Sequence, residues 1–328
     1  MLLPFLGAAT GSLLLIHSGT LLIPAWTSFM DHDGQLTTLV ILLLAEAGIG
    51  LALWATFRGL EGRLRTRDGF VLVSFTWAVV SALGTLPLIL CLDMSVTNAV
   101  FESVSGVTTT GATVLTGLDE MPRSILFYRQ ELQWLGGVGV VVLAIALFPM
   151  LRIGGMQLLK AETPGPVKSE KLRPRLRETA RSLWLVYILL TTGCALFYWI
   201  SGMSFFDAVA HSLSTVSTGG FSTHDASLGF FDSQAVELTA IVFMILASIN
   251  FSLHYITLHQ FSLSHYFSNE EVRALIGVIA VVIGIVSLML FQQGVTTTIG
   301  PALRHAAFQV VSVITSTGFA TRDFTAWP

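Results

Sequence analysis

The sequence predicts an all-α membrane protein assembled from repeated units, each a full apolar span, a short helix, a glycine loop and a second span. Three observations predict it. Of the 328 residues, 53% are hydrophobic and only 11% charged, with a mean hydropathy of +0.75, more apolar surface than a soluble domain of this length can bury. Several apolar runs reach the roughly 20 residues needed to cross about 30 Å of hydrocarbon as a helix. A Thr/Ser-Gly signature then recurs three times, each time after an apolar stretch too short to span.

Taken in order, the apolar runs lie at about 2 to 29, 36 to 57, 69 to 92, 124 to 150, 182 to 201, 234 to 258 and 273 to 292. Each is read as a helix, because a helix satisfies every backbone polar group within itself. The first run has no positive n-region and exceeds a signal peptide in length, so it is read as a retained span. Arg58, Arg63, Arg65 and Arg67 sit between the second and third runs. Arg152, Lys160, Lys168, Lys171, Arg173, Arg175, Arg177 and Arg181 sit between the fourth and fifth. Positive loops stay inside, which places the N-terminus in the cytoplasm and segments 93 to 123, 202 to 233 and 293 to 328 outside.

On that outer side, three stretches of about 14 residues, near 95 to 108, 204 to 216 and 300 to 315, suit short helices that re-enter the membrane rather than cross it. Their ends align as Thr108-Thr109-Thr110-Gly111, Val216-Ser217-Thr218-Gly219 and Thr315-Ser316-Thr317-Gly318. The three glycines, Gly111, Gly219 and Gly318, are 108 and then 99 residues apart, a repeat of whole architectural units. The predicted organisation is two N-terminal helices over 1–60, a first pore repeat over 68–151, a basic cytoplasmic loop over 152–180, a second pore repeat over 181–260 and an incomplete third over 270–328. The third unit stops before its second span, giving two and a half repeats. Such a chain is not expected to seal or gate by itself.

A permeating cation exchanges hydration water for fixed oxygens, and a loop supplies them when its carbonyls turn toward one axis, which glycine permits. The C-terminal end of each short helix adds a field that favours a cation and repels an anion. Irregular backbone at membrane depth is tolerated where it lines water or is buried in protein. The twelve residues of the three loop ends are therefore the candidate ligands of a transported cation.

These loops, with Phe127-Tyr128-Arg129-Gln130, Gln133-Trp134, Gly136-Gly137, the run Arg152 to Gln157, the run Glu162 to Lys168 and the run Gly219 to Ser227, resemble the TrkH family of Trk-type potassium-uptake membrane subunits. The likeness covers the whole chain. It implies a potassium-channel-like fold with two extra N-terminal helices and four pseudo-fourfold repeats around one pore, in a homodimer in the bacterial inner membrane. It also implies a peripheral cytoplasmic nucleotide-binding regulatory subunit of TrkA type. By the same resemblance Thr108 to Gly111, Val216 to Gly219 and Thr315 to Gly318 form the selectivity filter. Complete members carry a fourth pore loop and a glycine-rich intramembrane gate that these residues do not include. Sodium-coupled or less selective transport, and a non-conducting remnant or partner subunit, are the alternatives.

Other residues are read as follows. Glu46, inside the second span, is either structurally paired or a transport group. Arg129 and Glu131, near the outer mouth, either pair with neighbouring chains in structural salt bridges or tune the field there. Asn250 and His254, four apart, share a helix face for interhelical hydrogen bonding or a pore-lining pair. Asp93, Glu102, Asp119, Glu120, Asp207, Asp225 and Asp232 make either a cation-concentrating vestibule or ordinary solvated surface. Cys91 and Cys194 suggest buried free thiols. Membrane lipid is the surrounding solvent. No catalytic signature is present, and neither an organic cofactor nor a nucleic-acid partner is implied.

Overall fold

Apolar segments placed where water is scarce must close their own hydrogen bonds, and among the described residues they do so as helices. The computed structural model describes residues 2–58, 66–151, 172–324 and 327. The positive residues Arg63 and Arg65 and the segment 152 to 171 lie outside the described residues, as do the side chains of Arg67, Arg173, Arg175 and Arg177.

The elements in chain order are α1 (Leu2–Thr20), α2 (Leu22–Asp31), α3 (Leu36–Phe57), α4 (Thr66–Leu92), α5 (Val96–Val107), a 3-10 turn (Leu118–Glu120) and α6 (Arg123–Leu151). Then follow α7 (Leu172–Ile200), α8 (Phe205–Val216), a second 3-10 turn (Ser227–Phe231), α9 (Gln234–Ser248), α10 (Phe251–Gln260), α11 (Ser264–Ser268), α12 (Glu270–Gln292) and α13 (Ile299–Ile314). Among the described residues five helical stretches are long and apolar enough to cross a membrane, and α9 with α10 would make a sixth. The chain divides into two compact units. One comprises 1–107 and 121–181, the other 108–120 and 182–328.

In the first unit α1 lies against α3, and Gly11 and Gly50 let the two backbones approach, since a Cβ on Gly11 would stand 2.6 Å from the Trp54 nitrogen. The intramembrane Glu46 is paired as one of the two expectations had it: its Oε2 lies 2.7 Å from His17 Nδ1, and His17 Nε2 lies 3.0 Å from the Tyr128 hydroxyl. Tyr128 in turn donates to the Gly84 carbonyl at 3.2 Å, so one polar chain links α1, α3, α4 and α6 through an apolar interior. The short helix α5 is held between α4 and α6. Its Glu102 accepts from Arg129 Nε at 2.8 Å and Nη2 at 2.7 Å, with both side chains shut off from solvent.

Glu102 is therefore no vestibule acid, and it is the partner of the structural salt bridge that was one of the two expectations for Arg129. The same α5–α6 contact depends on Gly136, where a Cβ would fall 1.9 Å from the Val107 carbonyl oxygen at the end of α5. Gly136→Ala is expected to push α6 off the short helix and cost about 3 kcal/mol, the upper range for overpacking. Thermal unfolding of the detergent-solubilised protein checks it.

In the second unit the expected single span over 234 to 258 is broken. After 15 residues α9 stops at Ser248 and α10 departs at 99°. Asn250 is the residue that restarts the helix: its side chain accepts from the Ser252 N–H at 2.9 Å. His254 Nε2 lies 2.8 Å from the Leu246 carbonyl, which also accepts from the Ile249 N–H at the break, and Nδ1 lies 2.7 Å from the Tyr266 hydroxyl. Asn250 and His254 thus do not share the face of one continuous helix, because a turn of backbone was exchanged for two side-chain caps. Glu237 of α9 receives Arg304 of α13 bidentately, at 2.7 and 2.8 Å. Cys91 and Cys194 are free thiols.

Candidate pore loops

Each short helix ends in residues poor at continuing a helix: Thr108-Thr109 after α5, Ser217-Thr218 after α8, Thr315-Ser316 after α13. Hydroxyl side chains there compete for backbone hydrogen bonds and favour a turn. The backbone then follows the same path three times. The second residue past each helix is left-handed, with φ of 55° at Thr109, 52° at Thr218 and 55° at Ser316. The fourth is left-handed again, with φ of 78° at Gly111, 81° at Gly220 and 86° at Gly318.

Two of the three non-glycine residues are β-branched threonines, for which this region is a true outlier costing roughly 1–2 kcal/mol each. Strain repeated at one register is held by its surroundings. In the second and third loops it is held by a closure between the third residue past the helix and the carbonyl five before it, Gly219 N to Ser214 O at 2.8 Å and Thr317 N to Ser312 O at 2.9 Å. In the first and third loops the hydroxyls of the first and third residues also meet, Thr108 with Thr110 at 2.7 Å and Thr315 with Thr317 at 2.8 Å. The second loop has Gly219 at that third place and no hydroxyl to offer.

Counted from the helix ends, the second loop is one residue out of step with the sequence alignment. Gly220, not Gly219, stands where Gly111 and Gly318 stand, and the corresponding stretch is Ser217 to Gly220 rather than Val216 to Gly219. Val216 is the last residue of α8. Phe221 and Phe319, both fully buried, then coincide as the next residue along.

The loops come together in the second unit, and they do so in rotation. A Cβ on Gly111 would stand 2.1 Å from the Gly219 carbonyl oxygen, and a Cβ on Gly220 would stand 1.8 Å from the Thr317 carbonyl oxygen. In each case the fourth residue of one loop abuts the third residue's carbonyl of the next. Gly318, at the same place in the third loop, has open space where that neighbour would be. The donor set is neutral backbone and hydroxyl oxygen, and among the described residues no group of three or more His, Cys, Asp or Glu is placed to hold a metal ion.

Beside the loops, three of the acids read as a vestibule are engaged in hydrogen bonds. Asp225 Oδ2 accepts from the N–H groups of Gly117 and Leu118 at 2.9 and 3.1 Å. Asp119 Oδ1 lies 2.5 Å from His224 Nδ1, and Asp207 accepts from Thr223 and Ser204 at 2.8 and 2.7 Å. His211, inside α8, has its Nδ1 at 2.9 Å from the Asp207 carbonyl and its Nε2 at 2.9 Å from the Ser222 hydroxyl. The first contact needs the proton on Nδ1, so the second is accepted from Ser222. His211 was not marked by the sequence pattern, and His224 entered only within the run Gly219 to Ser227, although both lie within a dozen residues of Gly219.

An all-helical chain in which short helices and glycine loops alternate with long apolar helices is a multi-pass membrane protein of the pore-loop class. Over residues 37–328 the sequence matches the TrkH cation transport protein family, and the chain belongs to that family. It is 47% identical over 320 residues to the Trk system potassium uptake protein TrkH of Halomonas elongata, and 44% identical to that of Escherichia coli strain K12. Each alignment covers 97% of this chain and 66% of the relative. The crystal structure of the potassium transporter TrkH from Vibrio parahaemolyticus superposes with a TM-score of 0.88 at 40% identity, over 99% of this chain and 67% of that one. The chain thus spans about two thirds of the length of these uptake proteins.

Proposed function

We propose that this chain is the membrane-embedded, ion-conducting part of a bacterial potassium uptake system. K+ would pass the loops Thr108 to Gly111, Ser217 to Gly220 and Thr315 to Gly318. The observation that carries the reading is the rotation in which Gly111 seats on the Gly219 carbonyl and Gly220 on the Thr317 carbonyl. Successive loops related in this way present equivalent oxygens to one axis, the arrangement that replaces a cation's hydration shell. The open face of Gly318 is where a fourth loop would seat.

The reading extends to the organisation of the chain: two N-terminal helices, pore repeats over 68–151 and 181–260, and a third beginning at 270. The N-terminus and the basic segment 152–180, whose residues from Leu172 onward open α7, face the cytoplasm of a bacterial inner membrane. The protein works as a homodimer with a nucleotide-binding regulatory subunit of TrkA type, consistent with the names of its relatives as parts of a Trk system.

The test is growth and Rb+ uptake in cells deleted for their own potassium uptake, using a chimera completed to full family length with the Halomonas elongata sequence. Rescue at low K+, with Rb+ and K+ competing and Na+ competing poorly, is the expected result. A chimera that reaches the membrane and leaves Rb+ uptake at background overturns the reading.

A further inference from the structure

His224 stands between two carboxylates. Its Nδ1 lies 2.5 Å from Asp119 Oδ1 and its Nε2 lies 3.4 Å from Asp207 Oδ1. The first contact is a hydrogen bond and the second an ion-pair contact whose geometry falls short of one, and two carboxylates flanking the ring favour its imidazolium form. The ring also lies flat on Phe230, with centroids 3.5 Å apart and planes 5° from parallel, and meets Phe231 edge-on at 5.3 Å.

Each of these partners belongs to a different part of the pore-loop assembly. Asp119 follows the first loop, on the Leu118–Glu120 turn. Asp207 sits in the first turn of α8, with Ser204 as its cap, and so anchors the helix that leads into the second loop. Phe230 and Phe231 lie on the Ser227–Phe231 turn, which is bonded to the third loop through Gly229 N to Ala320 O at 3.1 Å and Ala320 N to Ser227 Oγ at 3.2 Å. One imidazole thus touches groups that continue into all three loops. The titratable and charged groups facing it are Asp119, Asp207, the neutral His211 stacked 6.4 Å away on α8, and Asp225 beside it in sequence. The two phenylalanines carry no charge.

We infer that His224, protonated and bridging Asp119 to Asp207, is a positioning residue that sets the spacing of the filter loops and makes ion selectivity respond to pH on the side it faces. The inference rests on the pore reading above. Loss of the proton leaves one N–H, which stays with the shorter contact to Asp119, and turns a lone pair toward Asp207. The link between the first loop and α8 then opens.

Partial burial draws the imidazole toward its neutral form, but Asp207 and Asp119 outweigh it and hold its pKa above the ordinary histidine value. The hydrogen bond from His224 holds Asp119 below the usual carboxylate range. A base with a raised folded-state pKa stabilises the fold fully below its unfolded value, and that contribution is lost as pH rises through the raised one. The clamp is therefore closed in acid and opens toward the alkaline side.

The experiment uses the full-length chimera in proteoliposomes, with pH varied on each side in turn from about 6 to about 9, spanning the ordinary histidine value. The K+ over Na+ flux ratio should fall with rising pH on one side only, by roughly a factor of five, the worth of one partly exposed ion pair. His224→Gln and Asp119→Asn should each show a flat profile at the low, alkaline ratio. A His224→Gln profile that tracks the wild type, or a wild-type ratio constant over the range, overturns the inference. If no protein conducts K+, the pore reading has failed, and thermal stability against pH then decides the clamp: a loss above the ordinary histidine pKa in the wild type but not in His224→Gln supports it, and parallel curves overturn it.

Discussion

Gly220→Ala is expected to abolish K+ uptake while leaving the protein in the membrane, and Gly219→Ala, one residue earlier, is expected to retain most of it. At Gly220 two costs coincide. The backbone is left-handed, which an alanine adopts at roughly 1 kcal/mol, and the new Cβ would lie 1.8 Å from the Thr317 carbonyl oxygen. No rotamer relieves a clash of Cβ with backbone, so the second and third loops must part, and the carbonyl that the glycine seats against swings out of line. Gly219 is not left-handed, and its own closure to Ser214 uses a backbone N–H that alanine keeps. Rb+ uptake by the two variants, normalised to membrane protein, separates them. Equal loss would place the second loop back in the register read from sequence.

The second large effect is expected at Glu102→Ala. This substitution leaves the Arg129 guanidinium inside the first unit at 1% exposure, without the carboxylate that faces it. Breaking such a pair from one side costs about 3 kcal/mol or more, because the remaining charge is neither solvated nor neutralised. A lower unfolding temperature and poor yield after solubilisation are expected, and Glu102→Gln, which keeps an acceptor, should fall between. The double change Glu102→Ala with Arg129→Met should recover much of the loss, because it removes the charge along with its partner. A double variant as unstable as Glu102→Ala would show that shape, not charge, decides this contact.

The pair also shows where the sequence misleads. Glu102 stands in a row of outer acids, and its distance in sequence to Arg129 says nothing of α5 lying against α6. The same is true of Asp119 and Asp207, whose bridge through His224 joins residues 88 apart in the chain. An isolated histidine near a glycine loop gives no periodic or compositional signal, and neither does a threonine forced into the left-handed region. The short apolar stretches and their Ser/Thr-Gly ends located the termini of all three short helices to within about two residues, the usual uncertainty of helix ends. The same pattern missed the right-angle break after Ser248, because a single polar residue, Asn250, does not end an apolar run of that length.

The sequence by itself determined that the chain is helical, that it lives in a membrane, and that three loops of one kind recur along it. Those properties follow from apolar run length and local hydrogen-bonding chemistry, which each segment carries within itself. Only the tertiary structure decided the register of the second loop, the seating of Gly220 on Thr317, the burial of Glu102 with Arg129 and the place of His224. These depend on contacts between segments far apart in the chain, where a shift of one residue changes which atoms meet without changing composition or apolar pattern.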